Sequence, residues 1–409
     1  MLWSGCEGHL GAGGPDGRSV TATVLLSGNV FGGTTAGRAE SNACGGPCKT
    51  EPLGERQGPV KQEPVVVPRS GTDQNLPLSG RRGRQGLKKY LAAYDLRTRD
   101  QVKPNGEPEG ACQASSGRQA RRVELTVGSN TTIVGLGDSA VLKGASLQVR
   151  DADNVIVRNL ELRDAYDCFP VWQPNTGGLG DWKTAYDTLW LRGATHVWID
   201  HVTASDKGHP DEDEPTYFGR NYLRHDGLLD ITNASDLVTV SWSRFADHDK
   251  AMLIGNGDTA TGDRGKLRVT LHHNEFASVV QRAPRVRFGQ VHVYNNRYVV
   301  PADAHDYRYS LGVSTESAVY AENNAFTTPG HIEVADLVKS WNGTALHQSG
   351  TLFNGFPVDL LAIHNAYNSG SERDLTADVG WTPALHGTVD GAAKADRDVA
   401  RGAGAGRVR

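Results

Sequence analysis

The residues with the clearest chemical meaning are charged and lie past the middle of the chain. Two carboxylates, Asp226 and Asp230, lie four residues apart with a glycine between them, and Lys250 follows twenty residues later. Further along, residues 281–287 read QRAPRVR and hold three fixed positive charges. Carboxylate oxygens are the ligands that a hard cation prefers, and the arginine fork matches a carboxylate. This combination predicts a cation site beside a surface that binds an acidic polymer.

A repeated strand pattern must position these residues. Apolar residues alternate with other residues, and Asn, Asp or His follows. Aligned copies begin at Ile133, Val155, Val197, Val238, Val269, Val291 and Val319, with gaps of 22, 42, 41, 31, 22 and 28 residues. A period of 2 indicates strands, and a smallest gap of 22 with variable excess indicates a solenoid with loop insertions. We therefore predict an all-β parallel β-helix, with Asn at its bends because Asn tolerates left-handed backbone.

The composition divides the chain into three parts. Residues 1–85 are rich in glycine and lack a sustained period, so we expect an atypical and poorly ordered N-terminal segment. Residues 86–393 form the predicted β-helix domain, and residues 394–409 a disordered tail. Residues 86–95 place apolar and aromatic side chains on one helical face, which predicts a small helix packed across the coils.

The totals argue against several classes of protein. A formal net charge of -4 gives no overall basic surface, so nucleic acid is not an expected partner. No run approaches the roughly 18 apolar residues of a membrane span, and no signal peptide is legible. The five cysteines are scattered without a metal-binding spacing, and Cys168, in apolar surroundings, is expected to be simply buried.

The motifs together resemble a known family. Residues 197–201 read VWIDH, residues 225–230 read HDGLLD, residues 247–250 read DHDK and residues 282–287 read RAPRVR. With these motifs in this order, residues 88–374 resemble a pectate lyase of polysaccharide lyase family 1, of the bacterial secreted type. The resemblance implies a right-handed single-stranded parallel β-helix, secretion and a monomer. Residues 1–85 depart from it, because such enzymes usually open with a secretion signal and a capping helix.

The resemblance also implies a reaction and a cofactor. Pectate (polygalacturonate) is a chain of galacturonates that each carry a C6 carboxylate. The family's endo-acting lyases remove the C5 proton and expel the C4 oxygen, which is a β-elimination. Ca2+ bound to the substrate carboxylate would stabilise the charge that develops. The matching calcium ligands are Asp187, Asp226 and Asp230.

The remaining matching residues are cations. Arg282 matches the family's proton-abstracting arginine, and Lys250 and Arg287 would bind substrate carboxylates. An arginine normally stays protonated, so neighbouring positive charges would have to favour its neutral form. For that reason we expect an alkaline optimum.

Two other functions stay open at this point. A lyase for methyl-esterified pectin would need neither the calcium aspartates nor so much positive charge. A non-catalytic β-helix could bind acidic glycans without cleaving them. A hydrolase, by contrast, would need paired carboxylates that flank the bond. Trp198, Asp200 and His201, in the strand motif, are expected to be structural.

Overall fold

The structure is a computed structural model that describes residues 107–174, 176, 180–368, 373–384 and 386–408, together with three short strands nearer the N terminus. Most of the described residues lie in strands or in the bends between them. The first strands are β1 (His9–Leu10), β2 (Ala22–Leu26), β3 (Val65–Val66), β4 (Glu124–Val127), β5 (Thr131–Gly135), β6 (Val141–Lys143), β7 (Ser146–Arg150), β8 (Asp153–Arg158), β9 (Glu161–Arg163), β10 (Val171–Gln173), β11 (Asp181–Lys183), β12 (Leu189–Arg192), β13 (Thr195–Asp200), β14 (Thr203–Ser205), β15 (Thr216–Tyr217) and β16 (Arg220–Asn221).

The remaining strands and the three α-helices complete the described structure. The strands are β17 (Gly227–Thr232), β18 (Asp236–Ser241), β19 (Arg244–Ile254), β20 (Val269–His272), β21 (Glu275–Gln281), β22 (Arg285–Val286), β23 (Gln290–Tyr294), β24 (Arg297–Val299), β25 (Leu311–Ser314), β26 (Ala318–Glu322), β27 (Ala325–Thr327), β28 (Val338–Trp341), β29 (Ala345–Ser349), β30 (Leu352–Phe353) and β31 (Phe356–Pro357). The helices are α1 (Glu107–Val123), α2 (Leu360–Tyr367) and α3 (Ala392–Gly402). Across the described ranges, no helix combines the length and apolar character that a membrane crossing needs.

Each coil visits three parallel sheets in the same order. Sheet 1 contains β1, β4, β7, β12, β17, the C-terminal part of β19, β22, β25 and β28. Sheet 2 contains β2, β5, β8, β13, β18, β20, β23, β26 and β29, and sheet 3 contains β3, β6, β9, β14, the N-terminal part of β19, β21, β24, β27 and β30. Strand β19 runs from sheet 3 into sheet 1, so these two sheets share one hydrogen-bonded network. The predicted right-handed parallel β-helix is confirmed.

The strand register confirms most of the predicted repeat. One column of paired, buried valines in sheet 2 runs through Val155, Val197, Val238, Val269, Val291 and Val319. The first predicted copy is wrong by two residues, because Val155 pairs with Thr131 and Ile133 pairs with Val157. A shift of two keeps the same side chains facing inward, so alternation alone does not reveal it.

Stacked side chains inside the coils hold neighbouring turns together. Four aromatic rings stack in sequence with centroids 5.4, 5.1 and 4.3 Å apart: Phe245, Phe276, Tyr298 and Phe326. Asn274 donates a hydrogen bond to Oδ1 of Asn296 at 3.0 Å, and Asn296 donates to Oδ1 of Asn324 at 3.2 Å. These contacts, together with left-handed Asn295 and Asn323, confirm the predicted role of Asn at the bends.

Three described strands near the N terminus belong to the β-helix. Strands β1, β2 and β3 pair in parallel with β4, β5 and β6 and so extend all three sheets. The rest of residues 1–85 lies outside the described residues, so the expectation of a poorly ordered segment there stays a prediction. The predicted helix at residues 86–95 also lies outside them.

The prediction of a disordered tail at residues 394–409 is wrong. Helix α3 buries Ala395 and Val399, one turn apart, and packs against β24 and β27 of sheet 3. Beyond the helix, the Gly406 N–H donates to Oδ1 of Asn159 at 2.8 Å. The end of the chain therefore covers part of the β-helix, because its few apolar residues share one helical face.

Cys168 also departs from the sequence expectation. Its side chain is fully buried, as expected, but it is disulfide-bonded. The expectation of a simply buried thiol is therefore wrong. Scattered cysteines give no spacing signal for such a pair, because the coils bring together residues that are far apart in sequence.

Candidate active site

The charged residues predicted from the sequence lie along sheet 1 on successive coils. Asp187 precedes β12, Asp226 precedes β17, Asp230 lies in β17, Lys250 lies in β19, Arg282 lies between β21 and β22, and Arg287 follows β22. Asp230 pairs with Leu253, which in turn pairs with Arg285. Neighbouring strands lie about 4.8 Å apart, so four coils gather these side chains within about 15 Å along the sheet. The structure thus brings all six together on one face.

Gly227 lies where two of the carboxylates converge. Its backbone N–H donates to Oδ1 of Asp187 at 2.8 Å. A Cβ at this position would meet Oδ1 of Asp230 at 2.7 Å and Oδ1 of Asp187 at 2.9 Å. Any larger residue would push the two carboxylates away, so glycine is required for their close approach.

The electrostatics of Asp187 and Asp230 favour a bound cation. Burial, the negative charge of Asp230 and that of Asp226 hold the pKa of Asp187 well above its usual range. Burial and Asp226 raise the pKa of Asp230 to about 7, although Arg282 and Lys250 oppose the shift. The negative charges of Asp187 and Asp230 lie close together and are only partly compensated, so a divalent cation bound to both would stabilise their ionised forms.

Asp226 has a different environment. It accepts a hydrogen bond from Nζ of Lys250 at 2.9 Å, and its side chain remains 40% exposed. Burial alone would raise the pKa of Asp226, but Lys250, Arg282 and Lys183 hold it below its usual range. Burial would likewise lower the pKa of Lys250, but Asp226 raises it. Both groups are therefore charged near neutral pH.

The fit of these residues to a metal ion is partial. Among the residues that the structure describes, no three carboxylate, histidine or cysteine side chains already form a metal-ligand group. Asp187 and Asp230 both point at Gly227, whereas Asp226 is turned to Lys250. Several carboxylate oxygens close together suit calcium. Asp226 would complete the set of ligands if its side chain turned away from Lys250.

Arg282 lies in a tight bend between two strands of the site. It has left-handed backbone with φ 62, its carbonyl accepts from the Met252 N–H at 2.7 Å, and Ala283 N–H donates to Ser310 at 2.8 Å. Its Nε is buried without a hydrogen-bond partner. Within the described ranges no carboxylate lies at ion-pairing distance from it, so its guanidinium is available to a ligand.

Arg287 is held on the next part of the surface. It forms an ion pair with the exposed carboxylate of Asp258, and its Nη1 donates to the Gly255 carbonyl at 3.3 Å. Gly255 has φ 88, and a Cβ there would meet the Arg287 carbonyl at 2.6 Å. The arginine is therefore oriented by backbone and side-chain contacts and retains further donors for a substrate.

Sequence reasoning missed a histidine beneath the site. The Nε2 of His248 donates to the carbonyl of Asp226 at 2.7 Å, and its Nδ1 contacts Asp206. Both partners are acceptors, so both ring nitrogens donate, and Asp206 raises the pKa of His248 above its usual value although burial opposes the shift. The signal was present in the motif at 247–250, which we interpreted only through its carboxylates and lysine.

Lys183, at the end of β11, was also missed. Its charge interacts with those of Lys250, Arg282 and Asp226. It lies four residues before Asp187, outside every recognised motif, so spacing carried no signal for it.

Comparisons with known proteins agree with this geometry. The family model described as pectate lyase matches residues 104–372, which include all six predicted site residues. The chain is 43% identical over 324 residues to a pectate lyase of Bacillus subtilis (strain 168), covering 79% of this chain and 75% of the relative.

Two solved structures show the same fold. A pectate lyase bound to a hexasaccharide has a TM-score of 0.74 at 43% identity, and a thermostable pectate lyase has a TM-score of 0.75 at 40% identity. Each comparison covers 79% of this chain and 79% of the other. The matched sequence, the shared fold and the charged surface on sheet 1 together show that the chain belongs to the pectate lyase family.

Proposed function

We propose that the protein cleaves pectate within the polymer chain by a calcium-dependent β-elimination in which Arg282 removes the C5 proton. The observation that carries this proposal is the gathering of three aspartates, Lys250 and two arginines on one face of sheet 1. These charges are spread over four successive strands of sheet 1, which suits a long acidic polymer. The hexasaccharide bound to the solved relative supports a substrate of several sugar units.

The proposed bond changes are those of an elimination. The C5–H bond breaks and its proton moves to a guanidine nitrogen of Arg282. The electron pair forms a C4=C5 double bond, the C4–O bond breaks, and the departing oxygen takes a proton from water. Arg282 suits the base role in position, since its guanidinium has no carboxylate partner in the described part of the chain.

Lys250 and Arg287 would hold substrate carboxylates. Each already binds a carboxylate in this structure, Asp226 and Asp258 respectively. These ion pairs mark positions where a carboxylate fits, and the substrate supplies one on every sugar. Arginine grips such a group with two parallel hydrogen bonds, whereas lysine acts as a point charge.

Asp187, Asp226 and Asp230 would hold calcium. When bound, calcium supplies positive charge to a substrate carboxylate and so makes the neighbouring C5 proton more acidic. Asp226 would have to turn from Lys250 to join the other two carboxylates. That change would leave the Lys250 ammonium for the substrate.

We also propose that the protein is secreted and acts as a monomer. The disulfide bond of Cys168 supports a location outside the reducing interior of the cell. Pectate is a large polymer, so its degradation requires an enzyme in the same compartment.

An absorbance assay tests the proposed reaction. Purified protein is mixed with polygalacturonate, and the ultraviolet absorbance of the new C4=C5 double bond is followed with calcium, after chelation, and after calcium is restored. We expect product only when calcium is present. Binding without product would favour a glycan-binding β-helix, and activity that ignores the chelator would favour a lyase for methyl-esterified pectin.

A further inference from the structure

We propose that Lys183 forms an additional carboxylate-binding position for the substrate, on the side of the site where Lys250 and Arg282 lie. This inference rests on the proposed function, since it names a further contact for the same acidic polymer. Lys183 belongs to the hairpin of β10 and β11, which leaves the coil just before Asp187.

The hairpin places Lys183 firmly. Trp182 is fully buried in an aromatic cluster, with ring centroids 5.2 Å from Trp172, 5.6 Å from Phe218 and 4.7 Å from Tyr222. Neighbouring side chains in a strand point to opposite faces, so Lys183 points away from this cluster. The cluster therefore anchors the strand from which Lys183 projects.

The charge of Lys183 is poorly compensated in the free protein. Burial, Lys250 and Arg282 all lower the pKa of its ammonium, with Asp181 and Asp226 only partly opposing them. Across the described residues no carboxylate lies at ion-pairing distance from it. By contrast, Lys250 has Asp226 at 2.9 Å, and Lys394 has Asp390 at 2.7 Å.

An anionic ligand would relieve this unfavourable arrangement. A half-buried cation beside two others raises the free energy of the unbound protein, so part of that energy is recovered when a carboxylate binds. The proposed polymer supplies a carboxylate on each sugar. Because Lys183 lies on a hairpin outside the strands that carry Lys250 and Arg287, it would contact a different sugar unit.

Steady-state kinetics on polygalacturonate at saturating calcium test the inference. For Lys183→Gln we expect KM to rise about tenfold, as for loss of one charge-assisted hydrogen bond, while kcat changes by less than about twofold. Lys183→Arg should restore most of the affinity. On highly methyl-esterified substrate the difference between wild type and Lys183→Gln should shrink, because few carboxylates remain.

The matched control is Lys394→Gln, which removes a lysine charge from α3, the helix that packs on sheet 3. Its KM should equal that of the wild type. Melting temperatures of all variants should agree within a few degrees. An unchanged KM in Lys183→Gln, or an equal rise in Lys394→Gln, would overturn the inference while leaving the proposed function intact. Absence of product from the wild type would refute the proposed function and the inference with it.

Discussion

The outer faces of sheet 1 and sheet 2 carry similar residue types, but their carboxylates differ in how well the surrounding protein stabilises their charge. On sheet 2, Asp200 forms an ion pair with Arg158 at 2.9 Å and accepts hydrogen bonds from His201 at 2.8 Å and Ser241 at 2.7 Å. On sheet 1, Asp187 and Asp230 converge on Gly227 and repel each other. The same scaffold thus supports one face with satisfied charges and one face with charges that need a ligand.

This contrast distinguishes structural from functional charge. Burial would raise the pKa of Asp200, but His201, Ser241 and Arg158 hold it below its usual range. The partners of Asp200 belong to the folded protein, so its charge contributes to stability. A depression on this face lies between Trp198, Trp242 and His272, away from the candidate site on sheet 1. Groups whose pKa is strongly shifted by burial and by neighbouring charges favour sheet 1 as the candidate site.

The largest effect should come from Arg282→Lys. Lysine changes both the geometry and the delocalisation of the base, so we expect kcat to fall by about 100-fold to 10,000-fold with little change in melting temperature. Ultraviolet detection of the unsaturated product measures this loss. The control, Arg158→Lys on sheet 2, should keep nearly full activity. If Arg282→Lys retained full turnover, arginine would not be the base.

A smaller effect, on stability, separates the two faces directly. Asp230→Asn removes a charge that the free protein disfavours, so without calcium at pH 8 this variant should be more stable than the wild type. The rise in the pKa of Asp230 to about 7, from an ordinary value near 4, sets an upper limit of about 4 kcal/mol on this gain. Asp200→Asn removes a charge that three partners stabilise and should lose about 1–3 kcal/mol. Urea unfolding measures both, and destabilisation of equal size in the two variants would contradict the comparison.

The pH dependence of stability should follow the same signs. Asp230 has a pKa of about 7 in the folded state and an ordinary value near 4 when unfolded, so its contribution is complete below pH 4 and is lost as the pH rises to 7. Without calcium, Asp230→Asn should flatten the stability profile between these values. The pKa of Asp200 is lowered, so its contribution is present above its ordinary value and lost as the pH falls below it.

The smallest effect is expected for Trp198→Phe on sheet 2. Trp198 donates its indole N–H to Ser241 at 2.9 Å, and the guanidinium of Arg158 lies 5.3 Å from its ring. Loss of the hydrogen bond should destabilise the fold by about 1 kcal/mol without changing kcat/KM. Thermal unfolding and the absorbance assay measure the two quantities. A large loss of activity at normal stability would assign function to sheet 2.

Several errors show where sequence reasoning stopped. The repeat identified six coils correctly, but at Ile133 it failed by two residues because alternation is unchanged by such a shift. The tail was predicted to be disordered because its composition is dominated by Ala, Gly and Arg. Ala395 and Val399 have helical spacing in that tail, but the surface on which their helix packs belongs to sheet 3 and is far away in sequence.

Residue types and their period were enough to establish strands and coils, and the resemblance to a known family supplied the six charged positions of the candidate site. They could not say which charges are satisfied. That outcome depends on contacts between coils, such as those of Asp226 with Lys250 and of Asp187 with Gly227. Lys183 was visible only after folding, because its charged neighbours come from strands far along the chain. A linear pattern specifies what a side chain is, whereas the free energy of its charge depends on what lies around it in space.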